Sequence, residues 1–177
     1  MVVENVEILS ETLTKQQIEF SVACLSNHPL FSGLTNEELS TLCSEMIWVQ
    51  GKQNEYLFVQ GQAGHSFFII EKGQVDVEID GKKITELKEG QSFGELALLF
   101  RASRAASIKC VSLENRFFVM KPSLYKSILK HLKEIEYTRN KDLIEKIGLF
   151  HCLTNKQKYT LSNSIKEASF KAGEIIF

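Results

Sequence analysis

The sequence predicts an α+β fold that is mainly β, a small barrel or jelly roll with helices at both ends. Three observations carry this. Short aromatic and β-branched runs follow one another from Tyr56 to Met120, and Gly61, Gly64, Gly73 and Gly90 fall where strands this short must turn. Within one run Val75, Val77 and Ile79 alternate with Asp76, Glu78 and Asp80, so one face is apolar and the other polar. Before and after these runs the apolar spacing becomes helical, and short regular strands with helical flanks suit a closed or rolled sheet.

The elements follow in order. Residues 1–29 are read as an N-terminal helical segment. Thr35 precedes Glu38 by three positions, the capping-box pattern, and opens a helix over Asn36 to Met46. Trp48 marks the junction with the first strand and is read as a core residue. Strands are expected at Tyr56 to Gln60 and Ser66 to Glu71. Asp80-Gly81 is a hairpin signal linking the alternating strand to Lys82 to Leu87. Ala106 to Val111 and Arg116 to Met120 are again strand-like. Pro122 suits a first helical position, and Leu124, Ile128 and Leu132 recur at helical spacing, as do Leu143, Ile144 and Ile147.

The chain also repeats itself. Leu30-Phe31-Ser32-Gly33-Leu34-Thr35-Asn36 returns as Leu149-Phe150-His151-Cys152-Leu153-Thr154-Asn155, and about a third of the positions match without gaps as far as Phe58 and Phe177. Thr154 and Gln157 renew the capping box. Residues 30–147 therefore read as one complete domain and 148–177 as the start of a second, truncated copy. The chain is expected to be a fragment of a tandem-domain protein, with Lys171 to Phe177 a strand of the second copy.

Composition narrows the function. A net charge of −1 gives no basic surface for nucleic acid or membranes. No apolar stretch is long enough to span a bilayer, and Met1-Val2-Val3-Glu4 lacks the basic start of a secretory signal. A soluble, cytoplasmic chain is expected. Cys24, Cys43, Cys110 and Cys152 are scattered, as are the four histidines, so reduced thiols and no metal site are expected. No nucleophile elbow, P-loop or kinase catalytic motif is present. The chain is read as a binding module rather than an enzyme, without a cofactor.

The most informative segment is Phe93-Gly94-Glu95-Leu96-Ala97-Leu98-Leu99-Phe100-Arg101-Ala102-Ser103-Arg104-Ala105-Ala106-Ser107. Gly94 permits close backbone approach to a ligand. The amides of Glu95 to Leu98, those of Leu96 and Ala97 included, opening a helical turn, would point N–H groups at an anion. Arg104 supplies a planar, permanently charged fork for phosphate oxygens. Glu95 is an acceptor for a ribose hydroxyl, and small Ala105 and Ala106 leave their own amides accessible.

This run closely resembles the phosphate-binding cassette of the cyclic-nucleotide-binding domain, found in cAMP- and cGMP-dependent protein kinases, cyclic-nucleotide-gated channels, exchange factors and bacterial transcription regulators. The resemblance extends over the chain from about Leu30. It implies an eight-stranded β-roll with flanking helices and a short helix in the cassette, a ligand that is cGMP or cAMP, and an output that is conformational. The hinge for that output is expected between Met120 and Asn140. It also implies that Asp76 pairs with Arg104 and holds its fork toward the phosphate; on spacing alone Asp76 is a solvent-facing residue of an alternating strand. Glu71 and Glu78 are given no role. Tyr137 and Tyr159 are candidates to cap the base. The chain has Asn54 where the family usually has glycine, a residue that tolerates a left-handed turn. It has Gln62 where aspartate is usual, which is expected to alter a surface turn only.

A second copy beginning near Leu149 argues against the bacterial regulators, and the channel and exchange-factor readings rank lower. Tandem copies resemble the cyclic-nucleotide-dependent kinases, with the kinase catalytic domain as partner in cis or a catalytic subunit in trans. The regulatory subunit of a cAMP-dependent kinase often carries an R-R-x-[AS] segment upstream and a K-R-K-x-Y-E run in the connecting helix. Met1 to Leu30 lacks the first, and the second reads Tyr137-Thr138-Arg139-Asn140-Lys141-Asp142. The run from Leu149 to Lys158 looks closer to the cGMP-dependent kinases, especially the protozoan type. Ala105 points the other way, since cGMP cassettes usually place threonine there.

Overall fold

The alternation in the sequence becomes two antiparallel sheets. The structure, a computed structural model, describes residues 6–64, 66–96, 103–162, 164–165 and 173–175, with the side chains of residues 128 and 131–136 left aside. Its strands are β1 (Glu7–Ser10), β2 (Ile47–Gly51), β3 (Tyr56–Phe58), β4 (Phe67–Lys72), β5 (Gln74–Ile79), β6 (Lys82–Lys88), β7 (Ser92–Phe93), β8 (Ser107–Cys110) and β9 (Asn115–Met120). One sheet runs β1-β2-β9-β4-β7 and the other β3-β8-β5-β6. The eight strands from β2 onward are the expected roll. β1, pairing with β2 from outside it, has no counterpart in the sequence reading.

Local chemistry sets the turns. Asp80 and Gly81 both have positive φ, 50° and 73°, the geometry a two-residue hairpin needs between right-twisting strands, and they join β5 to β6. Asn54 takes φ 63°, the left-handed conformation asparagine tolerates. Inward residues meet in one core: Phe68 and Phe93 stack at 5.1 Å, and Phe117 meets both edge-on at 6.2 and 6.1 Å. Burial pushes the thiols of Cys43 and Cys110 up to about 12, so both act as small apolar core groups rather than nucleophiles.

Helices α1 (Lys15–Ser26), α2 (Asn36–Ser44), α3 (Pro122–Lys146) and α4 (Asn155–Ser162) flank the strands in sequence. The chain forms two compact units, Met1–Ile128 and Leu129–Phe177. In the first, Thr35 and Glu38 close the expected capping box at α2, and Thr14 and Gln17 close another at α1 that the sequence reading did not anticipate. Phe31 is fully buried against Phe67 and Tyr125, and the Tyr125 hydroxyl donates to the Leu30 carbonyl at 3.2 Å.

The second unit reproduces the opening of the first. Its 3₁₀ turn Gly148–Phe150 precedes α4 as Pro29–Phe31 precedes α2, and Thr154 and Gln157 exchange the capping-box bonds at 2.9 and 3.4 Å. The likeness reaches upstream of the matching residues. At the same offset Leu25 and Ile144 are both fully buried, and so, nearly, are Ser21 and Asn140. Asn140 Nδ2 donates to the Ser162 carbonyl at 2.8 Å, tying α3 to the end of α4. Residues 129–147, which the sequence reading gives to the first domain, thus fall in the second unit, and the division lies inside the span expected for the hinge. Of the strand expected from Lys171 to Phe177, only 173–175 lie among the described residues.

Candidate functional site

The inner face of the four-stranded sheet is the floor of a cavity of about 300 Å³. Val77, Leu87 and Ile108 provide apolar floor, and Phe58 and Phe93 close it from the core side. Gly94, Glu95 and Leu96 form one wall, and Ser103 to Ala106 another. The structure therefore brings together all of the cassette residues it describes. Ala97 lies outside the described residues.

Arg104 is the charged group at the bottom. It is 6 % exposed, so its orientation is set by the protein rather than by solvent. Its backbone is clamped to the turn after β3: Arg104 N–H donates to Gln62 O at 2.7 Å and Gly61 N–H to Arg104 O at 2.8 Å. Ser103 and Ala63 form an isolated bridge beside them. The guanidinium Nη2 donates to the Ser66 carbonyl at 2.9 Å, and its Cζ lies 3.8 Å from the centre of the Phe58 ring. Glu95 is half-buried and Ala105 exposed at the rim. A guanidinium at the floor, a carboxylate on one wall and apolar surface between them suit a ligand with an anion, a hydroxyl and a flat apolar body.

The profile of the cyclic nucleotide-binding domain matches residues 48–123, from β2 through the cassette to the start of α3. This stretch belongs to the cyclic nucleotide-binding domain family. The chain is 32% identical over 173 residues to a cGMP-dependent protein kinase of Plasmodium berghei, a match covering 98% of this chain and 20% of that protein. It is 27% identical over 168 residues to a cAMP-dependent protein kinase regulatory subunit of Dictyostelium discoideum, over 92% of this chain and 50% of the other. The chain thus spans about a fifth of the Plasmodium protein and half of the Dictyostelium one. The regulatory subunit of a cAMP-independent protein kinase A from Trypanosoma brucei, solved as a triple mutant with cAMP in its A site, shares the fold. Its TM-score is 0.62 at 24% identity, over 87% of this chain and 57% of that one. The regulatory domain of Toxoplasma gondii PKA, solved with cAMP, aligns at TM-score 0.60 and 21% identity, over 85% and 59%.

In this cyclic nucleotide-binding domain the structure places Asp76, the partner expected for Arg104, against another residue. The Asp76 carboxylate pairs with Lys83 Nζ at 2.7 Å across the β5–β6 hairpin. Val75 and Val77 on either side of Asp76 face the core, so strand alternation turns Asp76 to the opposite face from the cavity. The guanidinium Nη2 donates to the Ser66 backbone carbonyl. Gly94 also has a different reason for being glycine. Its φ is +83°, and a Cβ there would stand 2.8 Å from both Arg104 Nη1 and Ser66 O, so it makes room for the arginine. Gln62 does more than alter a surface turn: its side chain accepts from Val59 N–H at 2.9 Å, and its carbonyl anchors Arg104.

The remaining candidates lie elsewhere. Trp48 is half-buried and donates Nε1–H to Glu71 at 3.2 Å; Glu71 also pairs with Arg116 at 2.9 Å. Glu78 accepts from the Tyr56 hydroxyl at 2.7 Å. Tyr137 and Tyr159, named for the base, meet each other at 5.2 Å within the second unit. Among the described residues no helix is long and apolar enough to cross a membrane.

His28 is a neighbour of the cassette that the sequence reading passed over. Its ring edges onto Phe31 and Phe67 at 5.4 and 5.8 Å, and its Nδ1 accepts from Leu30 N–H at 3.2 Å. Burial pushes the imidazole below its ordinary 6.5, and the negative charge of Glu95 only partly restores it. The folded domain therefore holds His28 neutral while the unfolded chain takes a proton near pH 6.5. This stability is present above that pH and is lost as pH falls through the lower folded value. A protonated Nδ1 can no longer accept from Leu30. Urea denaturation at pH 7.5 and 5.5 is expected to show a loss on acidification that is smaller in His28→Asn; identical pH profiles would remove His28 from the explanation.

Proposed function

We propose that this chain is a sensor for a 3′,5′-cyclic purine nucleotide, with the cyclic phosphate on Arg104 and the amides of Leu96, Ala97, Ala105 and Ala106, and the ribose hydroxyl on Glu95. The observation that carries it is the buried, pre-oriented guanidinium at the floor of a cavity whose wall bears that carboxylate. No resident cofactor is needed. The domain limits, 30–147 for the sensor and 148–177 for the start of a second copy, belong to the same proposal.

The sensor would act in the cytoplasm on a protein kinase, in cis or in trans. The ligand stabilises one of two packings of the helices after the roll, and can shift that balance only by its differential affinity for them. The regulatory region of a cGMP-dependent kinase is favoured, since the Plasmodium berghei relative of that name matches 98% of the chain at 32% identity, against 92% at 27% for the cAMP-dependent subunit. The regulatory subunit of a cAMP-dependent kinase is the second reading, favoured by Ala105 at the rim.

Titration calorimetry of the chain with cAMP, cGMP and 5′-AMP tests the reading. Saturable binding of the cyclic nucleotides with weaker binding of 5′-AMP is expected, and no binding of either cyclic nucleotide would overturn it. The same measurement checks position 105. A hydroxyl there can accept from the exocyclic amine of guanine, which adenine lacks at that place. An uncharged hydrogen bond nets ~0.5–1.5 kcal/mol, so Ala105→Thr should tighten cGMP roughly 3- to 10-fold and leave cAMP nearly unchanged. An unmoved cGMP/cAMP ratio would exclude this position as the selector.

A further inference from the structure

We propose that Phe58 is a positioning residue for the ligand's phosphate: its ring is the seat that holds the Arg104 guanidinium flat and aimed into the cavity. This rests on the cyclic-nucleotide reading of the site and adds to it the group that orients the arginine.

The geometry carries it. Arg104 Cζ lies 3.8 Å from the Phe58 ring centre, a stacking distance, while Phe68 is more remote at 5.9 Å. Phe58 is itself only 5 % exposed and packs against the stacked pair Phe68 and Phe93, with a centroid 5.9 Å from each, so the core braces the seat. The π face attracts the cation most where water is excluded, and a planar guanidinium can lie flat on it while its N–H edge stays available in plane. One in-plane bond is used at once, Nη2 to the Ser66 carbonyl, and this fixes rotation about the stacking axis. Ring and carbonyl together define orientation without drawing on Asp76, whose carboxylate is on Lys83. Phe58 is the last residue of β3, and Arg104 is bonded back to Gly61 and Gln62 just beyond it. The same short segment thus sets both the backbone and the plane of the arginine.

The test uses the whole chain and two readouts. In the unliganded protein the Arg104 Nε–H proton, lying over the ring, should resonate upfield. Phe58→Leu should abolish that shift, and Phe117→Leu, a comparable loss from the same core away from the arginine, should leave it. By calorimetry Phe58→Leu should weaken cAMP and cGMP about tenfold, with Phe117→Leu within about twofold of wild type and Phe58→Tyr restoring most of the loss. If Phe58→Leu does not fold, Phe58→Met, closer in volume, is read in the same way. An unshifted arginine resonance in wild type, or equal affinity losses in Phe58→Leu and Phe117→Leu, would overturn the proposal. A wild-type chain that binds neither nucleotide would instead overturn the functional reading, whatever the resonance shows.

Discussion

Arg104→Ala should lower the affinity for both cAMP and cGMP by roughly 100-fold or more while the chain stays folded. The guanidinium is the charged group at the floor of the cavity, and it can give a phosphodiester two N–H donors in one plane. A hydrogen bond to a charged group is worth ~1.5–3 kcal/mol, and removing two of them accounts for a loss of that size. Truncation also leaves the Ser66 carbonyl without its Nη2 donor and opens a void over Phe58. Some loss of stability is therefore expected, and thermal unfolding should be followed alongside the titration. Arg104→Lys separates charge from shape. A lysine keeps the charge but cannot offer a planar fork, so it should recover only part of the affinity. Wild-type-like binding by Arg104→Ala would mean that the phosphate sits elsewhere.

The fold was legible where a residue's local chemistry decides its conformation. Asp80-Gly81 announced its hairpin because few other pairs accept two positive φ angles in succession. Thr35 and Thr154 announced two helix starts because their capping partners stand three residues on. β7 was not legible: Ser92–Phe93 is too short to show a period, and it is a strand only because β4 lies beside it. The upstream half of the repeat was hidden for a related reason. Leu25 and Ile144, like Ser21 and Asn140, share burial but not identity, and burial is a property of the packed unit.

The site divides along the same line. The cassette residues declared themselves, because glycine, carboxylate, arginine and paired alanines are chosen there by chemistry. What orients Arg104 did not. One acceptor is the backbone carbonyl of Ser66, which every residue possesses, and the seat is Phe58, which reads as ordinary strand core. Asp76 was expected as the partner because the family resemblance implies an acidic residue on this strand beside the arginine. The two-residue period of β5 sends it to the other face, where Lys83 pairs with it.

Gly94→Ala should damage the site and the fold together, and comparison with another glycine can tell how. At φ +83° any side chain strains the backbone, at a cost of about 1–2 kcal/mol. The new Cβ would also stand 2.8 Å from Ser66 O and 2.8 Å from Arg104 Nη1. The carbonyl belongs to backbone at the entry of β4 and yields little, so the guanidinium is the group that must move, and with it the Nη2 bond to that same carbonyl. Overpacking of this kind costs about 1–3 kcal/mol, giving a total destabilisation of roughly 2–5 kcal/mol. Affinity for either cyclic nucleotide should fall by about 10- to 100-fold, because an arginine displaced from its seat must be re-ordered when the phosphate binds. Gly81→Ala supplies the reference. Its φ is similar, +73°, but a Cβ there meets nothing within 4 Å, so it should show the strain alone and leave binding unchanged. Chemical denaturation and calorimetry on the two variants decide the matter: equal stability losses and an intact affinity in Gly94→Ala would show that the arginine tolerates a methyl group against it.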